Sequence, residues 1–132
     1  MKVSWKEHNM NEENTKYLRE NFPNLFREYG GEPRQTCMAW GFACGDGWFE
    51  ILKELGEKLE PLGVVAAQVK EKFGGLRFYI NGIDESIYEE VYQYIHEAES
   101  KSYETCEKCG QKGKLRNDGW VKTLCDNCNN SE

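Results

Sequence analysis

Histidine and proline are scarce in this chain, with two of one and three of the other among 132 residues. With so little imidazole, histidine-built metal sites and catalytic triads have almost no material. No Ser-His-Asp order and no Walker loop is visible. No apolar run approaches the ~20 residues that a membrane span needs. The N-terminal stretch MKVSWKEHNM lacks the apolar middle of a signal peptide, which predicts a chain made and kept in a cytoplasm. An excess of basic residues is also missing: 17 Lys and Arg stand against 23 Asp and Glu, for a net charge of −6. Binding along extended DNA is therefore disfavoured, because phosphate neutralisation supplies most non-specific affinity. A local basic patch could still hold a small anion or a short strand.

What is present suits a folded domain. Hydrophobic residues make up 39% and charged residues 30% of the chain, far from the composition of disordered proteins. The length allows one compact core and a small appendage, provided something besides burial holds the appendage. The segment NTKYLRENFPNLF puts Tyr17, Leu18 and Phe22 on a helical stripe, with Asn14 or Thr15 as cap and Pro23 as breaker. Residues 28–47 are rich in glycine and read as loop or irregular strand. Asp46 is placed to cap a helix carrying Trp48, Leu52, Leu55 and Leu59, which Pro61 and Gly63 end. Val64–Phe73 and Leu76–Asn81 predict an antiparallel hairpin. Ser86 and Glu89 have capping-box spacing ahead of a helix with Ile87, Val91, Tyr94, Ile95 and Ala98 on its buried face. The predicted class is α+β, helices packed on a small antiparallel sheet (hairpin 64–81), with a core domain at 1–101 and a zinc ribbon at 102–132.

The ribbon rests on CEKCGQKGKLRNDGWVKTLCDNC. Two Cys-x-x-Cys pairs, Cys106 with Cys109 and Cys125 with Cys128, stand 15 residues apart, a standard zinc spacing. In a reducing cytoplasm such cysteines serve as thiolate ligands rather than disulfides. Four thiolates fill a tetrahedral shell around one Zn2+, leaving no open position for a substrate, so the expected role of the metal is structural. Gly110 relieves the backbone after the first pair, and KLRNDGWVKTL reads as a hairpin turning at Asp118-Gly119. Cys37 and Cys44 read as buried free thiols. A second zinc would need His8 or His96, and the spacing does not favour it.

In KEKFGGLRFYI, a turn at Gly74-Gly75 pairs Phe73 with Leu76, Lys72 with Arg77 and Lys70 with Tyr79. Val69, Phe73, Leu76, Phe78 and Ile80 then face the core, with Glu71 as a charged intruder, and Gln68, Lys70, Lys72, Arg77 and Tyr79 face outward. Like charges directly opposite one another are destabilising. The cationic face is therefore either neutralised by the acids of DESIYEEVYQYIHEAE or of the helix around Glu54, Glu57 and Glu60, or is a ligand platform. In the second case Lys70, Lys72, Arg77 and Tyr79 bind an anionic, nucleotide-like ligand, the ring by stacking and the guanidinium by its planar fork. GFACGDGWFE sets Gly45 and Gly47 at a helix N-terminus, where N–H groups favour an anion, although Asp46 competes for that place. Glu71 shows no second acid or histidine to work with, so no catalytic residue is assigned.

The runs GDGWFEILKELGEKLE, QVKEKFGGLRFYI, AESKSYETCEKCG and TLCDNC, spanning residues 45–128, together resemble a family of small proteins encoded by bacteriophages and bacterial genomes. The resemblance implies a phage or prophage accessory protein in the host cytoplasm that sequesters a nucleotide signal or holds a host protein. It brings no active site with it. The alternative function is thus a zinc-ribbon interaction module that modulates a host or phage protein acting on nucleic acid. Oligomeric state stays open, a homodimer included.

Overall fold

The computed structural model describes residues 9–117 and 119–130, and Asp118 and the first eight residues of the N-terminal stretch read for a signal peptide, His8 included, lie outside them. Helix α1, Glu12–Asn21, begins earlier than Asn14: Asn11 is its N-cap and accepts from the Asn14 N–H at 2.8 Å. A helix cap is fixed by which side chain reaches the free N–H groups of the first turn, and Asn11 reaches them. The helix ends before Pro23, with Leu18 and Phe22 buried.

The glycine-rich stretch is mostly irregular, yet it contributes a two-residue strand, β1 (Phe42–Ala43). Strand β1 runs parallel to β2 (Ala66–Lys72), which pairs antiparallel with β3 (Gly75–Ile80), giving a sheet of order β1-β2-β3. Helix α2 (Phe49–Leu59) is preceded by a 3-10 turn over Asp46–Trp48. Asp46 does not cap α2. Its carboxylate instead accepts from the Asn11 backbone N–H at 2.8 Å and the Asn14 side chain at 3.1 Å, tying the start of α1 to this turn. Helix α3, Tyr88–Ser102, likewise has no capping box; Asp84 caps the 3-10 turn before it by accepting from the Ser86 N–H.

Leu18, Trp48, Leu52, Leu55, Leu59, Val69, Leu76, Phe78, Val91 and Ile95 are buried in one hydrophobic core. The stripes read on α2 and α3 are thus the faces that pack. None of the described helices is long and apolar enough to cross a membrane. Helix α3 flanks β3, the edge of the sheet. The Ser102 hydroxyl accepts from the Leu76 N–H at 2.8 Å and the Glu99 carboxylate from the Phe78 N–H at 3.0 Å.

The β2–β3 register differs from the expected one. Lys72 faces Gly75, Lys70 faces Arg77, and Val69 faces Phe78, with an irregularity between Ala66 and Gln68. The turn therefore consists of Phe73 and Gly74, both at positive φ, 53° and 86°. Two-residue hairpin turns favour this conformation because its twist matches that of the strands. Placing the turn one residue earlier offsets the partners by two, so each residue keeps its face, the side-chain period being two. Phe73 is the exception, since in the turn it leaves the core face and stands 69% exposed. A left-handed phenylalanine costs about 1–2 kcal/mol.

After α3 the chain forms a short hairpin, β4 (Lys114–Arg116) and β5 (Lys122–Leu124), and a final short helix, α4 (Asp126–Asn130).

Candidate metal centre and cationic face

The four cysteines of the two Cys-x-x-Cys pairs come together at the base of the β4–β5 hairpin. The sulfurs of Cys106, Cys109, Cys125 and Cys128 all lie within 4.8 Å of one another and none is in a disulfide. Gly110 follows the first pair at φ 84°, closing the knuckle. Burial raises the Cys106 thiol, but backbone hydrogen bonds from Cys125, Cys109 and Lys108 outweigh it and bring it down to about 7. Burial and the sulfurs of Cys125, Cys106 and Cys109 push the Cys128 thiol up to about 12. One sulfur is thus ready to be a thiolate, whereas a complete set of thiolates needs a cation among them. The donor set fits a metal ion bound by four sulfurs.

This centre is pressed against the core at two places, and Glu107 joins them. Its backbone N–H donates to the Thr123 carbonyl at 3.0 Å, and its carbonyl accepts from the Gly47 N–H at 2.7 Å. Its carboxylate accepts from the Gly45 N–H at 2.8 Å. A Cβ on Gly47 would overlap the carbonyl oxygen of Cys106, so only glycine lets the knuckle approach this closely. Trp48, fully buried, donates its indole N–H to the Thr105 carbonyl at 2.9 Å. An anion does sit at the glycine-rich loop as its N–H groups invite, and it is the carboxylate of Glu107.

The second contact is the β2–β3 turn. Lys122 lies between Glu71 and Glu107, with its ammonium 3.4 Å and 3.5 Å from their carboxylates. Glu71 also accepts from the Gly74 N–H at 2.8 Å, and the buried Thr123 hydroxyl donates to the Gly74 carbonyl at 2.6 Å. The intruding acid on the core face is therefore the turn's own cap and the ribbon's ion partner. Burial pushes the Glu107 carboxyl above the usual carboxylate range, while Lys122 and the Gly45 N–H pull against that rise. Cys44 is buried beside this cluster, and burial, then Glu107, Asp46 and Glu71, hold its thiol well above the usual range. Such a thiol is inert. Cys37, by contrast, is exposed rather than buried.

The outer face of the sheet brings Lys70, Arg77, Lys72 and Tyr79 together, with Tyr79 43% exposed. Glu54, Glu57 and Glu60 do not neutralise it. Glu54 pairs with Lys101 at 2.9 Å, and Glu60 accepts from the backbone N–H groups of Asn24 and Leu25. Among the described residues, none of Lys70, Lys72 and Arg77 forms an ion pair, although the Glu99 carboxylate of α3, bound to the Phe78 N–H, is near enough to act on the charge of Arg77. Arg77 donates to the Tyr103 hydroxyl at 3.0 Å and the Leu76 carbonyl at 3.2 Å, and the Tyr103 bond raises its already high pKa. Tyr103 occupies the space that a side chain at Gly75 would fill. It was not legible as part of this face from the sequence. The available signal was a glycine inside a strand, which marks close approach by another group.

Compared with family models, curated proteins and solved structures, the chain matches none.

Proposed function

We propose that the protein is a non-catalytic, phage-type accessory protein that binds and sequesters an anionic, nucleotide-like ligand on the outer face of β2–β3. The observation that carries this reading is the set of three cations, Lys70, Lys72 and Arg77, with no carboxylate paired to them among the described residues. Like charges facing across a hairpin are unfavourable, and an oxyanion between Lys70 and Arg77 removes that penalty. Tyr79 supplies a ring beside them. The metal in this reading is one zinc held by Cys106, Cys109, Cys125 and Cys128, with a structural role because four thiolates leave no open position. In a phage-infected cell, sequestration of this kind would blunt a nucleotide signal of the host.

Thermal melts with a panel of mono-, di- and cyclic nucleotides test the reading. At least one should raise the melting temperature of the wild type and have no effect on Arg77→Glu. A melt indifferent to every nucleotide would favour the second reading, a protein-interaction module. The specific observation behind that alternative is the exposure of Trp120 (78%) and Leu115 (49%) on the ribbon.

A further inference from the structure

Phe73 occupies a place that folding alone does not favour. It sits at the first position of a two-residue turn, where Asn or Gly adopts positive φ with least strain. Its ring gains little from burial, being 69% exposed. Backbone strain combined with an exposed aromatic ring points to function rather than to packing. The surroundings say for what. Lys72 holds its ammonium 5.7 Å from the Phe73 ring centroid. Gly74, the next residue, lies against Leu115 and Val121 of the ribbon hairpin, and Trp120, beside Val121, is 78% exposed. The turn of one hairpin thus abuts the other, with a bare aromatic ring on each.

The charge follows the same line. Residues 64–81 carry three cations against one acid, and residues 106–128 carry five against three. Each hairpin segment is net positive, although the whole chain is at −6. We infer that the Phe73 turn and the Trp120 loop extend the cationic face into a track for single-stranded nucleic acid. Successive bases stack on the rings of Phe73 and Trp120, and Lys70, Lys72 and Arg77 follow the phosphates. Bases of any sequence can stack on a ring, and lysines distinguish phosphates poorly, so the track is tolerant of sequence. The inference rests on the anion-binding reading above and specifies its ligand as a strand.

The test uses the full-length, metal-loaded protein and a fluorescent oligothymidylate of about ten nucleotides, with AMP as the small probe. The track predicts strand binding that weakens with salt, with a slope of about −2 in log–log form if three phosphates are neutralised. Phe73→Asn is the decisive variant, since it should raise the melting temperature by relieving the turn while weakening strand binding about ten-fold. Trp120→Ala should weaken binding to a similar extent with no change in melting. If AMP binds in an Arg77-dependent way but the strand binds no tighter than AMP and ignores both variants, the track is wrong and the nucleotide site stands. If neither probe binds, both readings fall together.

Discussion

Both hairpins are antiparallel, but they are held by different forces. Strands β2 and β3, of seven and six residues, bury Val69, Leu76 and Phe78 under the helices. Burial of this kind contributes about 1.5–3 kcal/mol for each large apolar side chain. Strands β4 and β5 have three residues each, leave Leu115 half exposed, and bury Thr123 as their one fully covered side chain. A hairpin that small has no core of its own. It relies on the four-cysteine cluster at its base, which can hold a metal ion, and on hydrogen bonds and the ion pair of its own Lys122 with Glu71 of β2. Size therefore decides which physics is available: the larger hairpin is a product of the hydrophobic effect, and the smaller one of its cysteine cluster and polar complementarity.

The strongest way to break that contrast is to remove a ligand. Cys109→Ser should abolish the order of residues 104–128 while α1, α2 and α3 persist, because apparent metal-binding free energies of about 10–16 kcal/mol are what fold such small sites. Metal analysis of the reduced wild type should give one zinc per chain, and amide spectra of the variant should lose the ribbon signals alone. Zinc-free wild type with an intact ribbon spectrum would refute it.

Next in size is a change on the core side that leaves every metal ligand in place. Gly47→Ala should destabilise the fold by about 2–3 kcal/mol, since the added methyl overlaps the Cys106 carbonyl and the knuckle has to withdraw. Urea denaturation measures the loss, and an unchanged midpoint would mean that the ribbon does not depend on its dock. Ser102→Ala is smaller still, at about 1–2 kcal/mol, because the Leu76 N–H loses its acceptor inside the larger hairpin. The smallest effect tests the register. Lys70→Glu should stabilise the free protein by about 0.5 kcal/mol by facing Arg77 with an opposite charge, whereas Lys72→Glu, opposite Gly75, should gain nothing. Equal effects of the two substitutions in thermal melts would contradict the observed pairing.

The cysteine cluster and the buried faces of α2 and α3 were legible in the sequence because their signals are local: a two-residue gap between thiols, and a period of 3.6 residues in the helices. The register was not. Gly74-Gly75 looks like the natural turn, and the observed one admits Phe73 at a position where its backbone is strained. The faces survived this error because a shift of two residues in pairing preserves sidedness. The work of Gly45 and Gly47 was hidden for another reason: their partner, Glu107, is 62 residues from Gly45 in the chain. Nothing within either segment announces the other. Helix caps failed by small margins, with Asn11 in place of Asn14 and Asp84 in place of Ser86, because several acceptors cluster at each start and geometry chooses among them.

The side chains of Glu99 and Ser102 along β3 have a meaning for assembly. An edge strand with free N–H groups is a template on which another chain can add a strand, the route to domain swapping and fibrils. Here the Leu76 and Phe78 N–H groups are already taken by α3. At the opposite side of the sheet, β1 is only two residues long, and its Phe42 carbonyl accepts from the Met10 N–H at 3.2 Å. The β3 edge is closed to strand addition at those two positions, so a partner approaching this side of the sheet has to be recognised through side chains rather than through backbone pairing.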